Sequence, residues 1–571
     1  MHLELLNFFK EKKFYFYIFL LLNILTFVLE LASLASVPIF ISAMITPDYL
    51  IDEISNNKFL NIQIIDNREL FVLSSYLVLA MFFLKNVFLI ILTYFQDKYL
   101  KNLNKEISKR LFNFYIKGPF HLHLESNPAT LARNISHEIQ GATTYLYQIF
   151  MLTRDIFTLV VIFALLAFVN FKITFVIVLF LIFALFFYLN KTKPAIKKLA
   201  NFNQETRKII NKIIFETFGA IKDIKILKKE ISVSDYYYSK ISKYEENYFK
   251  FKLISKLPKF ILELFAITVL VMVGLVFASS IGNLEQVLPT LSVVAISLLR
   301  LIPAFNSLNA NYNYLRLYNV SINLIINELK KTEKEYVPTT TQRRIIQKNN
   351  KNFIEINDLT FGYNLKQNIF ENLNLKIFEG EKICIVGPTG SGKTTLFHLM
   401  LGLLNPNKGF IAHNGKSIID NLDNWYNKIG YISQNIYILD DSVKKNITLN
   451  YNNEIINEKL LNESVSISNL KDKIKDSPFA LETKVGMDGL KLSGGEKQRI
   501  AIARAIYKNP QIFLMDEFTS AIDQETEEKI FNNLITKFSK QTLIMIAHRK
   551  SIIEKCDIVW EIKNKNIIKI K

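Results

Sequence analysis

Six long apolar runs lie before residue 330 of this 571-residue chain. A helix of about 20 apolar residues crosses the roughly 30 Å hydrocarbon core of a bilayer. The first run is too long for the apolar core of a cleaved secretion signal and lacks a small-residue cleavage pattern, so we interpret it as a retained membrane helix. The sequence therefore predicts a membrane domain at 1–330 with six spans, at about 14–45, 70–96, 145–169, 172–189, 258–281 and 286–310.

Charge differs between the segments that join these runs. Segments 97–144 and 190–257 are long and basic, whereas the link at 46–68 carries more acidic than basic residues. Positive charge accumulates on the cytoplasmic side of membrane proteins. The pattern predicts that both termini are cytoplasmic and that the two long segments extend the membrane helices into the cytoplasm. Such loops account for the net charge of +19, and nucleic acid is not an expected partner.

The rest of the chain has the composition of a soluble domain. Residues 331–351 are polar and charged, which predicts a linker. From 352 to 571, strand-like and helix-like segments alternate, as in an α/β domain. The two cysteines, Cys384 and Cys556, lie in apolar surroundings in this domain. Two cysteines are too few for a disulfide framework, and they are typical of buried thiols in a reducing compartment.

A glycine-rich loop in this second domain matches GxxxxGK[ST], a pattern in which backbone N–H groups surround phosphate oxygens. It follows an apolar strand at 383–386 and opens a helical run at 395–401, which is the context that the motif requires. The lysine of this pattern neutralises β- and γ-phosphate oxygens, and the last hydroxyl is placed to bind Mg²⁺. The loop residues are Gly387, Pro388, Thr389, Gly390, Ser391, Gly392, Lys393 and Thr394.

Two acidic residues end a second apolar strand further along the chain. Residues 512–515 are apolar and are followed by Asp516 and Glu517. A buried strand of this kind can deliver one carboxylate to a metal ion and the next toward the γ-phosphate, where it orients water as a base. We therefore predict Asp516 as a ligand of Mg²⁺ and Glu517 as the catalytic base.

Between the loop and these acids, Leu492-Ser493-Gly494-Gly495-Glu496 resembles the signature motif of the ATP-binding-cassette (ABC) family, usually LSGGQ. Glu496 departs from the usual last residue, as it does in other members of the family. Four further residues match family motifs in the family's order. Tyr363 resembles the aromatic residue that stacks on adenine, Gln434 the Q-loop glutamine, Asp523 the end of the D-loop at 520–523, and His548 the switch histidine.

This resemblance, which covers nearly the whole chain, implies a multidomain membrane protein with a six-helix all-α transmembrane exporter domain and an α/β P-loop ABC ATPase domain. It implies an ATP-hydrolysing transporter that uses ATP and Mg²⁺, with Glu517 and His548 in catalysis and Thr394, Gln434 and Asp516 at the metal. Because the family's signature closes over ATP on the partner's loop, one loop and one signature per chain imply a homodimer. The implied ATP-binding residues are Tyr363, Gly387, Pro388, Thr389, Gly390, Ser391, Gly392, Lys393, Thr394, Thr395, Gln434, Ser493, Gly494, Gly495, Glu496 and Asp523.

Charged residues inside the predicted spans are the clues to the cargo, since a charge at the centre of a span costs about 2.5–3.5 kcal/mol on insertion scales. Lys85 and Arg300 lie within the second and sixth predicted spans, and Lys259 opens the fifth. If these residues line a substrate cavity, the cavity suits the phosphate or pyrophosphate of an anionic lipid-linked substrate. Alternatively, Lys259 extends to the membrane interface, and Glu30, deep in the first span, pairs with a base.

The membrane half also resembles the PglK-type lipid-linked oligosaccharide flippase of bacterial protein N-glycosylation. The short external segment after the first span, Leu257-Pro258-Lys259 and Leu298–Pro303 carry this resemblance. It implies a multi-pass protein among the lipids of the bacterial cytoplasmic (inner) membrane. There it would flip a polyprenyl-pyrophosphate-linked oligosaccharide for protein glycosylation or surface polysaccharide synthesis.

Two alternative functions stay open. One is an exporter of lipid A or of multiple amphipathic drugs, and a drug cavity would be mainly apolar and aromatic. The other is an ATP-gated regulator that does not pump. Glu517 and His548 argue against the regulator, because gating alone needs no hydrolysis.

Overall fold

The computed structural model describes residues 2–45, 66–169, 205–280, 284–334, 353–363, 367–452, 454–471, 479–486, 489–519 and 521–571, with short pieces within 47–51, 171–175 and 194–203. Two compact units divide the chain. The first comprises Met1–Gly118 and Ser126–Pro338, and the second comprises Pro119–Glu125 and Thr339–Lys571. The division at 338 falls inside the predicted linker 331–351, most of which lies outside the described residues.

Long helices build the first unit. Those described are α1 (His2–Asn7), α2 (Lys10–Ile45), α3 (Asn67–Lys117), α5 (Pro128–Arg133), a π-helical turn (Asn134–Glu138), α6 (Ile139–Val169), α7 (Ile221–Ile226), α8 (Glu230–Ser280) and α9 (Leu284–Lys334). Helices α3, α8 and α9 have 51 residues each. At 1.5 Å per residue they are about 75 Å long. They therefore extend well beyond a bilayer, as the basic segments predict.

Four helical segments among the described residues are long and apolar enough to cross a membrane. They are Lys10–Ile45, Asn67–Lys117, Thr130–Phe168 and Val293–Thr332. The predicted span at 258–281 falls at the end of α8, and most of the span at 172–189 lies outside the described residues. The count of six spans stays a prediction.

Apolar residues three or four positions apart form the inner faces of these helices, as helical periodicity requires. On α3, Leu103, Ile107 and Leu111 are fully buried. They pack in one cluster with similarly spaced residues of α6 and α9, among them Ile139, Ala142, Leu146, Ile322, Ile325 and Leu329. The opposite face of α3 is apolar but exposed, for example at Leu79, Phe83 and Ile90. That face is suited to lipid.

Buried polar side chains connect the same helices. Asn23 of α2 donates from Nδ2 to the Thr153 hydroxyl of α6 at 3.0 Å and accepts at Oδ1 from Gln96 of α3 at 3.2 Å. Asp155 of α6 accepts from Ser307 and Asn311 of α9, both at 2.7 Å. In an apolar medium such pairs satisfy polar groups that would otherwise be costly to bury. They fix the register of α2, α3, α6 and α9.

Two sheets lie in the second unit. The strands are β1 (Ile354–Phe361), β2 (Phe370–Ile377), β3 (Lys382–Val386), β4 (Lys408–His413), β5 (Lys416–Ser417), β6 (Ile429–Ile432), β7 (Ile512–Asp516), β8 (Thr542–Ile546), β9 (Ile558–Lys563) and β10 (Asn566–Lys569). Among the described residues, β2-β1-β4-β5 form an antiparallel sheet, and β10-β9-β3-β8-β7-β6 form a sheet that is parallel except at β10. Parallel strands place their carboxyl ends at one edge, where ligands of α/β sheets bind.

Helices surround these sheets, and apolar residues fill the space between. They are α10 (Lys393–Met400), α11 (Leu422–Lys428), α12 (Val443–Thr448), α13 (Glu458–Ile467), α14 (Gly494–Tyr507), α15 (Gln524–Lys537) and α16 (Lys550–Glu554). All five residues of β7 and all five of β8 are buried. Strands buried on both faces read as continuous apolar runs, which is why 512–515 lacks alternation.

The short helix α4 (Phe120–Glu125) comes from the segment between the second and third predicted spans, yet it packs in the second unit. Phe120 packs against the core of this unit. Its ring meets the His398 imidazole of α10 edge to face, with centroids 5.4 Å apart. Burial lowers the pKa of His398, which favours the neutral ring in this contact.

Candidate nucleotide-binding site

The phosphate-binding loop joins the end of β3 to the start of α10. Gly387, Gly390 and Gly392 have φ values of 152°, 81° and 102°, a region that side chains rarely adopt. At Gly392 a Cβ would also lie 2.7 Å from the Ile369 side chain. The backbone therefore curls back in front of the first turn of α10, as a phosphate cradle requires.

Lys393, the first residue of α10, directs its ammonium group into this loop. Nζ donates to the carbonyl oxygens of Gly387 at 2.9 Å and of Pro388 at 3.1 Å, and the residue is 8% exposed. Positive charge is thus held at the N-terminus of α10, where the helix dipole also favours an anion. The loop fits the phosphates that the sequence predicts.

Asp516 ends β7 beside the loop and is 1% exposed. Burial raises the pKa of its carboxyl group, and a hydrogen bond with Thr394 lowers it. Among the described residues its Oδ2 has no hydrogen-bond partner, and neither does the buried Ser391 hydroxyl. Carboxylate and hydroxyl oxygens are suitable ligands for a hard cation. The residues present therefore fit the predicted Mg²⁺.

Glu517 lies between two other predicted site residues. Its Oε2 accepts from Gln434 Nε2 at 2.8 Å, and its Oε1 lies 3.2 Å from His548 Nε2. The backbone at Glu517 is left-handed, with φ at 46°. Such a conformation is strained for a residue with a side chain and is concentrated at functional sites. Glu517, Gln434 and His548 thus meet at the carboxyl edge of the sheet.

The signature segment forms the N-terminus of α14. The Ser493 hydroxyl accepts from Glu496 N at 3.3 Å, and the Glu496 carboxylate accepts from Ser493 N at 2.9 Å. This reciprocal pair is a capping box. Glu496, predicted to bind ATP, thus uses its carboxylate to cap its own helix.

The two signature glycines bring α14 against the loop after β7. A Cβ would lie 3.2 Å from the Ala521 Cβ at Gly494, and 3.0 Å from the Ala521 carbonyl oxygen at Gly495. No hydrogen bond within the described part of the chain joins Ser493 to the phosphate-binding loop. The predicted residues therefore form two groups, one around the loop and one at the start of α14.

Tyr363 and Asp523 lie at the two ends of this arrangement. The Tyr363 hydroxyl is 3.3 Å from the Thr395 hydroxyl, and 53% of the residue is exposed. An aromatic face open to solvent is available for stacking. Asp523 accepts from Thr526 N at 2.9 Å as the N-cap of α15, and this backbone hydrogen bond lowers its pKa. Asp523 therefore has a structural role within one chain.

The three candidate cavity cations have different surroundings. Lys85 Nζ is 3.2 Å from Glu30 Oε2, with side chains 4% and 13% exposed. This ion pair matches the alternative to a cavity-lining role, namely that Glu30 pairs with a base. Arg300 is exposed, and its guanidinium lies 5.8 Å from the centre of the Phe82 ring, which Lys85 approaches to 4.9 Å. Lys259 is exposed on α8.

Two residues near the site were not predicted. Arg549 contacts the loop after β7, and Phe120 contacts α10. The position of Arg549 next to His548 was the only feature of the sequence that could have indicated this contact. Phe120 belongs to a six-residue helix in a segment read as an extension of the membrane helices, so no local pattern indicated its contact.

Comparisons with known proteins show which proteins this chain resembles. Residues 370–520 match the family described as "ABC transporter". The ATP-dependent permease MDL1 of Candida albicans is 38% identical over 204 residues, which is 35% of this chain and 30% of that protein. The ATP-dependent lipid A-core flippase of Saccharophagus degradans is 36% identical over 216 residues, 38% of this chain and 36% of that protein. The matched region thus spans about a third of each curated relative.

A solved structure resembles the chain over nearly its whole length. It is described as a bacterial Atm1-family ABC exporter with ATP bound. The TM-score is 0.69 at 20% identity, and the alignment covers 96% of this chain and 94% of the other. The predicted fold class, a helical exporter domain joined to an α/β ABC ATPase domain, is confirmed.

Proposed function

We propose that this chain, which has the fold of an ABC exporter, is one half of an ATP-hydrolysing transporter. The observation that carries the proposal is the Glu517 carboxylate held between Gln434 and His548. These contacts fix both carboxylate oxygens beside Asp516 and the phosphate-binding loop. A base that is positioned in this way can orient water toward a γ-phosphate.

In the proposed reaction each residue has one task. Lys393 and the loop N–H groups would hold the phosphates, and Asp516 and Thr394 would hold Mg²⁺, which would supply positive charge to neutralise the phosphate oxygens. Glu517 accepts a proton from the water that bonds to the γ-phosphorus, the bond from that phosphorus to the bridging oxygen of ADP breaks, and His548 contacts the γ-phosphate. A regulator that gates without hydrolysis needs no such base, so this arrangement favours a transporter.

We further propose a homodimer with two composite ATP sites. Support comes from the contacts of the signature segment, which lies against Ala521 and, among the described residues, has no hydrogen bond from Ser493 to the phosphate-binding loop. The capping box holds Ser493 at the N-terminus of α14, where its N–H groups and hydroxyl can meet the nucleotide of a partner subunit. The cassettes and both termini would be cytoplasmic, and the helical domain would span the bacterial inner membrane.

For the cargo we propose a polyprenyl-pyrophosphate-linked oligosaccharide. Glu30 neutralises Lys85, so the positive charge offered to an anion reduces to Arg300 and Lys259. The Arg300 guanidinium has no ion-pair partner among the described residues, and a guanidinium binds phosphate oxygens in a bidentate manner. A lipid A exporter is the second candidate, because the cassette is similar to that of a lipid A-core flippase. Lipid A also carries phosphates.

Translocation in proteoliposomes tests both the proposed ATP-driven transport and the proposed cargo. The purified chain should hydrolyse ATP, and a pyrophosphate-linked glycolipid should stimulate hydrolysis and cross the bilayer with ATP. Lipid A and an amphipathic cationic drug serve as parallel cargoes. Absence of hydrolysis would contradict the transporter, whereas transport of the drug alone would contradict the anionic cargo.

A further inference from the structure

Arg549 contacts two adjoining parts of the second unit, the loop after β7 and the start of α15, which directly follows that loop. Its Nη1 donates to Glu527 Oε2 at 2.7 Å. Nη1 and Nη2 both donate to the Ile522 carbonyl oxygen at 3.1 Å. Ile522 lies in the loop after β7, and Glu527 lies in the first turn of α15. The guanidinium therefore connects the residue after His548 to this loop and helix.

Burial makes this contact specific. Glu527 is 0% exposed, and its Oε1 has no hydrogen-bond partner among the described residues. A buried carboxylate is stable only when it is paired, and Arg549 supplies the paired charge. The Arg549 side chain is itself 40% exposed and reaches inward from the surface. Arg549 thus has a fixed orientation with one defined acid.

The same loop is bound from its other side by the signature helix. Ala521 N donates to Gln498 Oε1 at 2.9 Å. A Cβ placed on Gly495 would lie 3.0 Å from the Ala521 carbonyl oxygen, so the helix and the loop are in close contact there. The loop is therefore held between Arg549, which follows His548, and α14, whose N-cap is Ser493. Displacement of His548 would be passed through Arg549 to Ile522, and from Ala521 to α14.

We propose that Arg549 is a positioning residue that couples the two ATP sites of the dimer. His548 belongs to the site of its own chain, whereas Ser493 serves the site on the partner, so the chain of contacts joins one site to the other. This inference rests on the proposed homodimer. An arginine is needed because its planar fork reaches two acceptors at once, whereas a lysine ammonium is a single point charge.

Arg549→Lys separates the two contacts. Lysine keeps a positive charge beside Glu527, but it cannot donate to the Ile522 carbonyl oxygen at the same time. The ATP dependence of hydrolysis by full-length dimers reports coupling, since a Hill coefficient above about 1 requires interacting sites. We expect a Hill coefficient above 1 for the wild type and about 1 for Arg549→Lys. Lys550→Ala, a neighbouring exposed lysine, is the matched control and should retain the wild-type coefficient.

Two further variants keep the test decisive. Glu527→Gln retains the Arg549–Ile522 contact and should stay cooperative; loss of cooperativity there would assign the effect to the ion pair and overturn the proposal. If Arg549→Lys does not fold, Arg549→Met with Glu527→Leu removes both charges together and should give a coefficient of about 1.

Failures of the two proposals are distinguishable. A cooperative wild type with an equally cooperative, folded Arg549→Lys overturns the role of Arg549 alone. A wild type that hydrolyses ATP without cooperativity overturns the coupling, and a wild type that does not hydrolyse ATP overturns the proposed function as well.

Discussion

In the second unit the functional side chains meet at the ends of adjacent strands, whereas in the first unit the charged side chains meet across separate membrane helices. Glu517 contacts Gln434 and His548 because parallel strands deliver their ends to one edge. Lys85 contacts Glu30 because an unpaired charge in a bilayer is costly. The arrangement in the second unit is determined by the proposed reaction with the nucleotide, and that in the first unit by the cost of an unpaired charge in the bilayer. Local motifs therefore predict the arrangement in the second unit, and only tertiary structure identifies that in the first unit.

The largest effect is expected in the second unit, where the proposed reaction determines the arrangement. Glu517→Gln keeps the shape of the side chain and removes its basicity, so steady-state hydrolysis should fall by about 10²–10⁴-fold. Nucleotide binding should remain, because Lys393 and the loop are unchanged. Phosphate release and binding of a fluorescent ATP analogue measure the two properties. Near-normal turnover in the purified variant would remove Glu517 from the role of base.

The next effect probes the arrangement in the first unit. Lys85→Met leaves Glu30 as an unpaired, largely buried acid, and breaking a buried pair in this way costs about 3–5 kcal/mol. Thermal unfolding of the detergent-solubilised chain should shift downward. The pair variant Lys85→Met with Glu30→Leu should recover most of the loss. A single variant as stable as the wild type would mean that the ion pair does not hold α2 to α3.

Several details lay beyond sequence reasoning for identifiable physical reasons. The phosphate loop, Asp516, Glu517 and His548 were predictable because each is defined by a few neighbouring residues and by the strand beside it. The Ser493–Glu496 capping box also matches a local pattern, S-x-x-E, but the resemblance of this segment to a nucleotide-binding motif led to a different interpretation of Glu496. The sequence offered a base as the partner of Glu30 without identifying Lys85, and it gave no sign of the Arg549–Glu527 pair, because both pairs join separate elements and such pairing follows from packing.

A smaller effect separates residues that serve their own chain from residues that serve the partner. Lys393→Ala removes a charge-assisted contact worth about 1.5–3 kcal/mol, so nucleotide binding should weaken roughly ten- to a hundredfold. Ser493→Ala should leave binding to the isolated chain intact and impair ATP-driven dimer closure. A mixed dimer with one substitution on each chain should retain one intact composite site. Equal loss of nucleotide binding in the two single variants would contradict the shared site.

The smallest effect concerns the cargo and tests whether a charged residue of the membrane helices also binds substrate. Arg300 is exposed and lacks an acid among the described residues, whereas Lys85 is already neutralised. Arg300→Ala should therefore reduce translocation of a pyrophosphate-linked glycolipid by about tenfold, which corresponds to one charge-assisted contact of about 1.5 kcal/mol, the low end of its range. Basal ATP hydrolysis should hold, because the nucleotide site is unchanged.

Two controls isolate the charge at Arg300. Arg300→Lys keeps it and should restore part of the translocation rate, while Lys85→Met with Glu30→Leu removes a neutral pair and should leave the rate nearly unchanged. Charge attracts a multiply charged anion far more than a neutral cargo in a partly dehydrated cavity. If folded Arg300→Ala flips the glycolipid at the wild-type rate, the anion is not bound there. If Lys85→Met with Glu30→Leu lowers the translocation rate as much as Arg300→Ala does, the Lys85–Glu30 pair lies on the path of the cargo. The pair would then contribute to transport as well as to stability.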